Sequence, residues 1–570
     1  MKFRILVPLL AFFLVSCGGG APGDESKPPT SEVPRTSLTL RSGSYAMTFT
    51  PGKVAASTEQ GWDASVDVEV EATGAYDTQA YVAVSDPDQV TSGYVPVRSL
   101  GNGRYAAVVT LNPRLPVGRH TGDLQLIVCK SYYCDEFYPG SPWKIPYDFT
   151  VTASTAQSNL PLRAIAGAQN WTTYQGSASH TGYVPLQVTR FERRWNWNVP
   201  STNSSWRLYN GLNSVATYDG VVYLSTRKGI SSAGFSNFVY ALSEDTGQEI
   251  WRRDLGDLYD TSPPAVTANH VFVASSGHQD TAMWQLDRLS GQVLQRSPFD
   301  SQWQRYVAPT VHADGVYNTS GSNGGLTKWA TATGAKSWTT MWTDVDLWTP
   351  AVNDQFVLGF SHQAICCYGG ARLNALDPHD GTMLFSIEDF DAGDIAPFSS
   401  PLAPVLTSAS TVVVTSGQSW FGTNRLVRFD LASRSVTWRV KGYFPGNPVF
   451  ANGVVYIAQS APFRVEARRE SDGLLLWTWK DPVSAPAPTN SYNGGLDPIP
   501  TGSMAITDSH VFVSSTRAVH AIDLQSHQSV WSYPRAGEIA ISAKGVLYIS
   551  TLSGSEYPLS DGRVVAITLH

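Results

Sequence analysis

Short apolar runs recur along most of this chain at a nearly fixed spacing. A strand pair of the form apolar-V-x-x-x-x-V-Y/F-V appears at Asn213–Ser225, Pro263–Ser275, Ala308–Thr319, Thr349–Phe360, Pro401–Thr415, Gly446–Ala458, Gly502–Ser514 and Glu538–Ser550. A second phrase follows each copy but the last. It is a strand end, a tight turn, and a strand that closes on Trp or another large apolar residue. It is clearest in Tyr240–Trp251 (YALSEDTGQEIW) and returns at Leu286–Leu294, Trp329–Trp338, Leu376–Phe385, Phe429–Trp438, Ala467–Trp477 and Ile522–Trp531. Apolar residues alternating with polar ones over four to eight positions predict strands. The turn glycines Gly247, Gly291, Gly334 and Gly381 step by 44, 43 and 47 residues. Four strands per unit at that period predict a β-propeller. Eight first halves stand against seven second halves, and the chain ends at Arg563–Leu569 one strand short. Phe191–Val199 (FERRWNWNV), upstream of every full unit, is a spare strand of the missing kind. It is predicted to complete the eighth blade and close the ring, which removes exposed sheet edges. The repeated Trp then reads as packing between blades.

The stretch before the repeats has a different texture. Val66–Ala72, Tyr81–Ser85 and Tyr105–Leu111 alternate apolar and polar residues, and Pro and Gly clusters punctuate them. Several short strands at this spacing predict a β-sandwich over 36–153. Gly118–Val128 (GRHTGDLQLIV) resembles the late strand of immunoglobulin-like bacterial domains. Cys129 and Cys134 flank four residues. In an oxidising compartment the pair reads as a short-loop disulfide; a metal pair is the other reading, with no second Cys/His pair nearby to complete it. The expected organisation is a signal at 1–16, a tether at 17–35, the sandwich at 36–153, a linker at 154–169 and an eight-bladed propeller at 170–570.

Composition agrees with an all-β chain. Of 570 residues 42% are hydrophobic and 15% charged, with 48 Gly, 18 Trp and 25 Tyr. The net charge of −7 advertises no nucleic-acid surface. Lys2 and Arg4 precede the apolar run Ile5–Val15, which is too short to span a membrane and ends Leu14-Val15-Ser16-Cys17. This resembles a bacterial lipoprotein signal. The resemblance implies cleavage before Cys17, lipidation of Cys17 and anchoring by acyl chains, each buried CH2 contributing about 0.8 kcal/mol. Gly18 at the next position implies the outer membrane rather than the inner. An ordinary secretory signal with an incidental Cys is the alternative. Loss of the two cations takes the net charge from −7 to −9.

The repeat motif A/L-x-D-x-x-T/S/D-G-x-x-x-W resembles that of the PQQ-like repeat family, which includes quinoprotein alcohol dehydrogenase-like propellers and BamB-type lipoproteins. Ser243-Glu244-Asp245 departs from its Asp placement. Asn170–Pro185 (NWTTYQGSASHTGYVP) resembles the family's lead-in. The family contains both quinone-dependent oxidoreductases and members that bind no quinone, so the resemblance fixes fold before function. Cys366-Cys367 invites comparison with the vicinal disulfide that the enzymes hold against PQQ, but it lies in the fourth unit rather than early in the propeller. No carboxylate–amide pair for Ca2+, catalytic Asp or Trp floor aligns, so neither PQQ nor Ca2+ is expected. A structural disulfide is the plainer reading of the pair. Asp389–Asp394 (DFDAGD) lacks the spacing and distal Glu of a calcium loop and reads as a solvated acidic loop.

Links within the first and second strand pairs are short, whereas second-to-third and blade-to-blade links are long. An antiparallel blade puts the two long classes on one face, where recognition usually lives. Tyr259, Trp303, Tyr306, Trp348, Trp420, Phe421 and Tyr492 lie on these links and are expected to form a binding face, although any one ring can instead pack its own loop. The reading is a monomeric, non-enzymatic envelope lipoprotein that binds a protein or polymer. The alternatives are an outer-membrane assembly factor of the BamB type and a PQQ-dependent dehydrogenase.

Overall fold

The computed structural model describes residues 36–74, 80–92, 95, 97–131, 134–154, 161–200, 211–227, 236–276, 281–299, 308–319, 325–341, 348–362, 371–389, 403–419, 422–444, 446–460, 463–481, 500–515, 517–551 and 562–570. Strands account for all the regular structure in these residues, which form two compact units divided at Thr155/Ala156.

The first unit is a two-sheet sandwich. Leu38–Ser42, Tyr45–Thr50, Ser65–Thr73, Arg104–Thr110 and Val97–Gly101 form one sheet in that spatial order. Val54–Glu59, Trp143–Thr152, Gly118–Cys129 and Tyr81–Ser85 form the other. Inward residues of both, among them Phe49, Val70, Val109, Leu124, Ile145 and Phe149, share one apolar cluster. Cys129 and Cys134 are joined by a disulfide, with Cα atoms 5.0 Å apart.

The described residues of the second unit form eight sheets, blades 1 to 8 in chain order, antiparallel except where Tyr183–Val184 adds a parallel strand to blade 7. Blade 1 is Ala216–Tyr218, Val221–Arg227, Asn237–Ser243 and Glu249–Gly256, from the innermost strand outward. Six further sheets repeat the order. Blade 8 takes Glu538–Ile541, Val546–Ser550 and Arg563–Thr568 from the end of the chain and its outermost strand, Glu192–Asn198, from before blade 1. The register runs from Glu192 opposite Thr568 to Asn198 opposite Arg563, with a bulge at Arg193/Trp195. The ring therefore closes by the pairing that the strand count predicts.

The repeated Trp is the fastener between blades. Trp195, Trp251 and Trp438 donate Nε1–H to the backbone carbonyls of Glu244, Arg288 and Glu470, each in the third-to-fourth turn of the next blade, at 2.8–3.0 Å. Their rings lie flat on the turn glycine: a Cβ built on Gly247 would meet the Trp195 ring at 2.6 Å, and one on Gly291 would meet the Trp251 ring at 2.5 Å. Both glycines have positive φ, so the turn and the ring each require the missing side chain. Where the turn residue is Arg434 or His527, it takes positive φ and covers the aromatic itself, Arg434 over Phe385 and His527 stacked on Trp477. Blade 8 has no such turn, and Phe191 stacks on Trp531 in its place, with ring centroids 4.9 Å apart.

Candidate functional site

The inner strand of each blade turns one edge to the ring's axis, and in blade 7 that edge pairs with Tyr183–Val184 of the entering segment. Buried backbone donors there need acceptors. The lead-in segment supplies them in six blades and donates to carbonyls in the other two. Ile165 donates its N–H to Ala543 of blade 8. Thr217 and Val266 donate to the carbonyls of Trp171 and Thr172 (blades 1 and 2), and Thr173 Oγ1 donates to Pro309 O of blade 3. Val352, Leu406, Phe450 and Ile506 donate to Ala178, Ser179, Thr181 and Gly182 (blades 4 to 7). One segment of about twenty residues thus visits every blade in order. Trp171, Thr173, Gln175, His180, Val184 and Leu186 in it are buried.

Three side chains of this segment occupy the axis. Gln175 donates Nε2–H to Pro448 O at 3.0 Å. Tyr174 accepts from Asn447 Nδ2 at 3.2 Å, and burial raises its pKa well above the ordinary tyrosine value. His180 is fully buried, with Nδ1 2.7 Å from Tyr174 O and Nε2 2.9 Å from Pro350 O. Burial lowers its pKa, against the pull of the two carbonyls. Around these groups, side chains at the starts of inner strands bond across to the next blade. Thr349 Oγ1 accepts from Ala308 N, Asn447 Oδ1 from Ala403 N and Ser503 Oγ from Ile539 N, at 2.8–3.1 Å. The axis is a polar network built from the chain's own residues, with Gln175 Oε1 left without a hydrogen-bond partner.

The described first-to-second and third-to-fourth links are tight turns at one end of the blades. The longer links leave from the opposite end. Of the aromatics expected there, Tyr259 is half-buried. Trp348 corrects the expectation: it is 2% exposed and packs with Ala351, Leu358, Leu373 and Leu406, between blades 4 and 5. It precedes the inner strand Ala351–Val352 closely enough to be drawn into the seam. Trp303, Tyr306, Trp420, Phe421 and Tyr492 lie outside the described residues, as do Cys17 and the Cys366-Cys367 pair. Asp389, read from sequence as part of a solvated loop, is 0% exposed and accepts from Arg439 Nε at 2.7 Å. The rest of that loop lies outside the described residues.

Sequence reasoning missed the axial use of Tyr174, Gln175 and His180. The lead-in motif pointed to the segment, but nothing in its pattern showed that its carbonyls accept from six separate blades.

The sequence profile of the family described as outer membrane protein assembly factor BamB matches residues 236–479 and 369–538, together more than half of the chain. No curated protein matches. Quinohemoprotein alcohol dehydrogenase from Comamonas testosteroni aligns with 70% of this chain and 80% of its own, at 13% identity and a TM-score of 0.51. Quinohemoprotein alcohol dehydrogenase ADHIIG from Pseudomonas putida HK5 aligns with 73% and 83%, also at 13% identity and 0.51. BamB from Moraxella catarrhalis aligns with 67% of this chain and 98% of its own, at 14% identity and 0.47. At these identities the two dehydrogenases speak to the fold alone.

A quinone with its Ca2+ needs carboxylate and carbonyl oxygens gathered in one place. Among the described residues no group of three or more His, Cys, Asp or Glu side chains gathers, and Tyr174, Gln175 and His180 fill the axis. The described residues do not fit that cofactor. The profile match, carried by a fold of four-stranded blades fastened by the motif's own Gly and Trp, shows that this chain belongs to the PQQ-like repeat family of β-propellers that includes BamB.

Proposed function

We propose that the protein is a non-enzymatic cell-envelope lipoprotein, anchored through Cys17, that binds a protein or polymer partner at the long-link end of its propeller. One observation carries the reading. The tight-turn end is consumed by blade-to-blade fastening and the axis by the lead-in segment, so the long links are what the scaffold has left to present. A second reading, supported by the family's own description, is that the partner is an outer-membrane protein in assembly.

The test is site-specific photocrosslinking of the full chain in cells. Probes at positions 303 and 420, on long links, are expected to capture a partner. Probes at exposed Asp354 and Asp472, on the tight-turn end, are expected to capture none. Capture from the tight-turn end alone would remove the proposed face. Dye-linked alcohol oxidation by purified protein given PQQ and Ca2+ would replace the whole reading with an oxidoreductase.

A further inference from the structure

Two seams depart from the repeat in the same way, one with arginine and one with histidine. At the third-to-fourth turn, where other blades have glycine, blade 5 has Arg434 and blade 7 has His527. Arg434 lies over Phe385 of blade 4, and His527 stacks on Trp477 of blade 6 with ring centroids 4.5 Å apart. The second departure is at the far end of the same outer strands. Eight residues after the turn glycine, blades 1 and 2 bury Leu255 and Phe299, whereas blades 4 and 6 bury Asp389 and Asp481.

A carboxylate buried in a seam calls for a cation from the next blade. Asp389 has one at every ordinary pH, since Arg439 of blade 5 donates Nε–H to it at 2.7 Å. Asp481 faces a group that titrates. His520, in the third strand Val519–Asp523 of blade 7, places Nε2 3.8 Å from Asp481 Oδ2, beyond a good hydrogen bond. The imidazole is only 14% exposed. Its centroid lies 5.2 Å from the ring of Trp479 and 6.5 Å from that of Phe463, both buried in blade 6. Nδ1 is 3.5 Å from Ser529 Oγ, in the outer strand of its own blade.

The charges around the ring oppose one another. Asp481 favours the imidazolium, and Arg517, in the short link before the His520 strand, disfavours it. Arg464 and Glu466, on the neighbouring strand of blade 6, are paired with each other at 2.8 Å. Burial is the largest influence and holds the His520 pKa below its ordinary value. Neutral imidazole therefore packs in the seam as an apolar plate. A proton turns it into a cation with little water around it and a second cation nearby.

We infer that His520 is an acid-operated catch, whose protonation loosens the seam between blades 6 and 7 while the arginine-fastened seam between blades 4 and 5 stays shut. His520 and Asp481 lie at the end of the blades from which the long links leave. That the catch regulates partner binding rests on the function proposed above; the catch itself does not.

The test is amide hydrogen exchange on the full-length protein without a partner, at pH 7.5 and 5.5, corrected for the intrinsic pH dependence of exchange. Protection in Leu475–Lys480 and Val519–Asp523 is expected to fall about three- to tenfold in acid. A histidine that titrates near pH 6.5 when released can give about elevenfold at most at pH 5.5. Protection in Met383–Asp389 and Ser435–Phe444 should hold within about twofold. His520→Gln, neutral at both pH values, should remove the acid loss whatever it does to absolute stability. His527→Gln should keep it. An equal fall in all blades, no fall in blades 6 and 7, an undiminished fall in His520→Gln, or its disappearance in His527→Gln would each overturn the inference.

Discussion

A propeller of this kind is held at its perimeter by contacts between one aromatic ring and one turn. The ring needs a flat neighbour, and the turn needs φ near +66° at Gly291. Gly291→Ala imposes both penalties at once: a left-handed backbone with a Cβ, and that Cβ 2.5 Å from the Trp251 ring. The expected loss is about 2–4 kcal/mol in urea unfolding. Gly453→Ala is the matched control. Its φ is +76° but nothing lies within 4 Å of the added Cβ, so about 1–2 kcal/mol is expected. Equal losses would mean that the ring contact contributes nothing. This scale was readable from sequence. Tight acidic-Gly turns followed by Trp spelled the contact, and only its partner, the turn of the next blade rather than its own, needed coordinates. Trp348 was not readable, because a Trp on a link looks the same whether it faces solvent or the adjacent seam.

Among the elements, the lead-in segment has most to lose, since inner strands of only two or three residues in most blades depend on its carbonyls for pairing. Its histidine gives a pH signature. Burial holds the His180 pKa below its ordinary value of about 6.5, and His510 and His520 are shifted the same way by burial. The unfolded chain therefore takes up protons that the folded chain refuses. The stability these groups contribute is complete above about pH 6.5 and declines as pH falls below it toward their folded pKa values. Glu244, raised by burial, contributes with the opposite sign. Comparing native protein with His180→Gln cancels that contribution. The variant should show a shallower fall in urea midpoint between about pH 6.5 and 5. An unchanged fall would show that His180 titrates normally. The segment's sequence, rich in Thr, Ser and Gly, has the look of a linker. Beyond a few turns of its own, its order comes from bonds to distant blades, which local pattern cannot report.

For the whole molecule, the decisive join is the outer strand of blade 8. Trp195 in that strand is 1% exposed, contacts Tyr548, and bonds to the turn of blade 1. Trp195→Ala removes a large buried ring from the one seam that also seals the ring, at an expected cost of about 3–5 kcal/mol. Amide exchange should then rise first in Glu192–Asn198 and Arg563–Thr568, ahead of blades 3 to 5. Uniform acceleration across all blades would mean that the join is no weaker than any other. Closure was legible from counting alone: eight beginnings, seven endings and one orphan strand.

That same join sets an order of events for a chain made from its amino end. Glu192–Asn198 is made before any blade exists, whereas its partner Arg563–Thr568 follows blades 1 to 7 in the chain. While blades 1 to 7 are being made, the early strand lacks its partner. The ring can seal only after Arg563–Thr568 has been added, so the seam that is first to be begun is last to be finished.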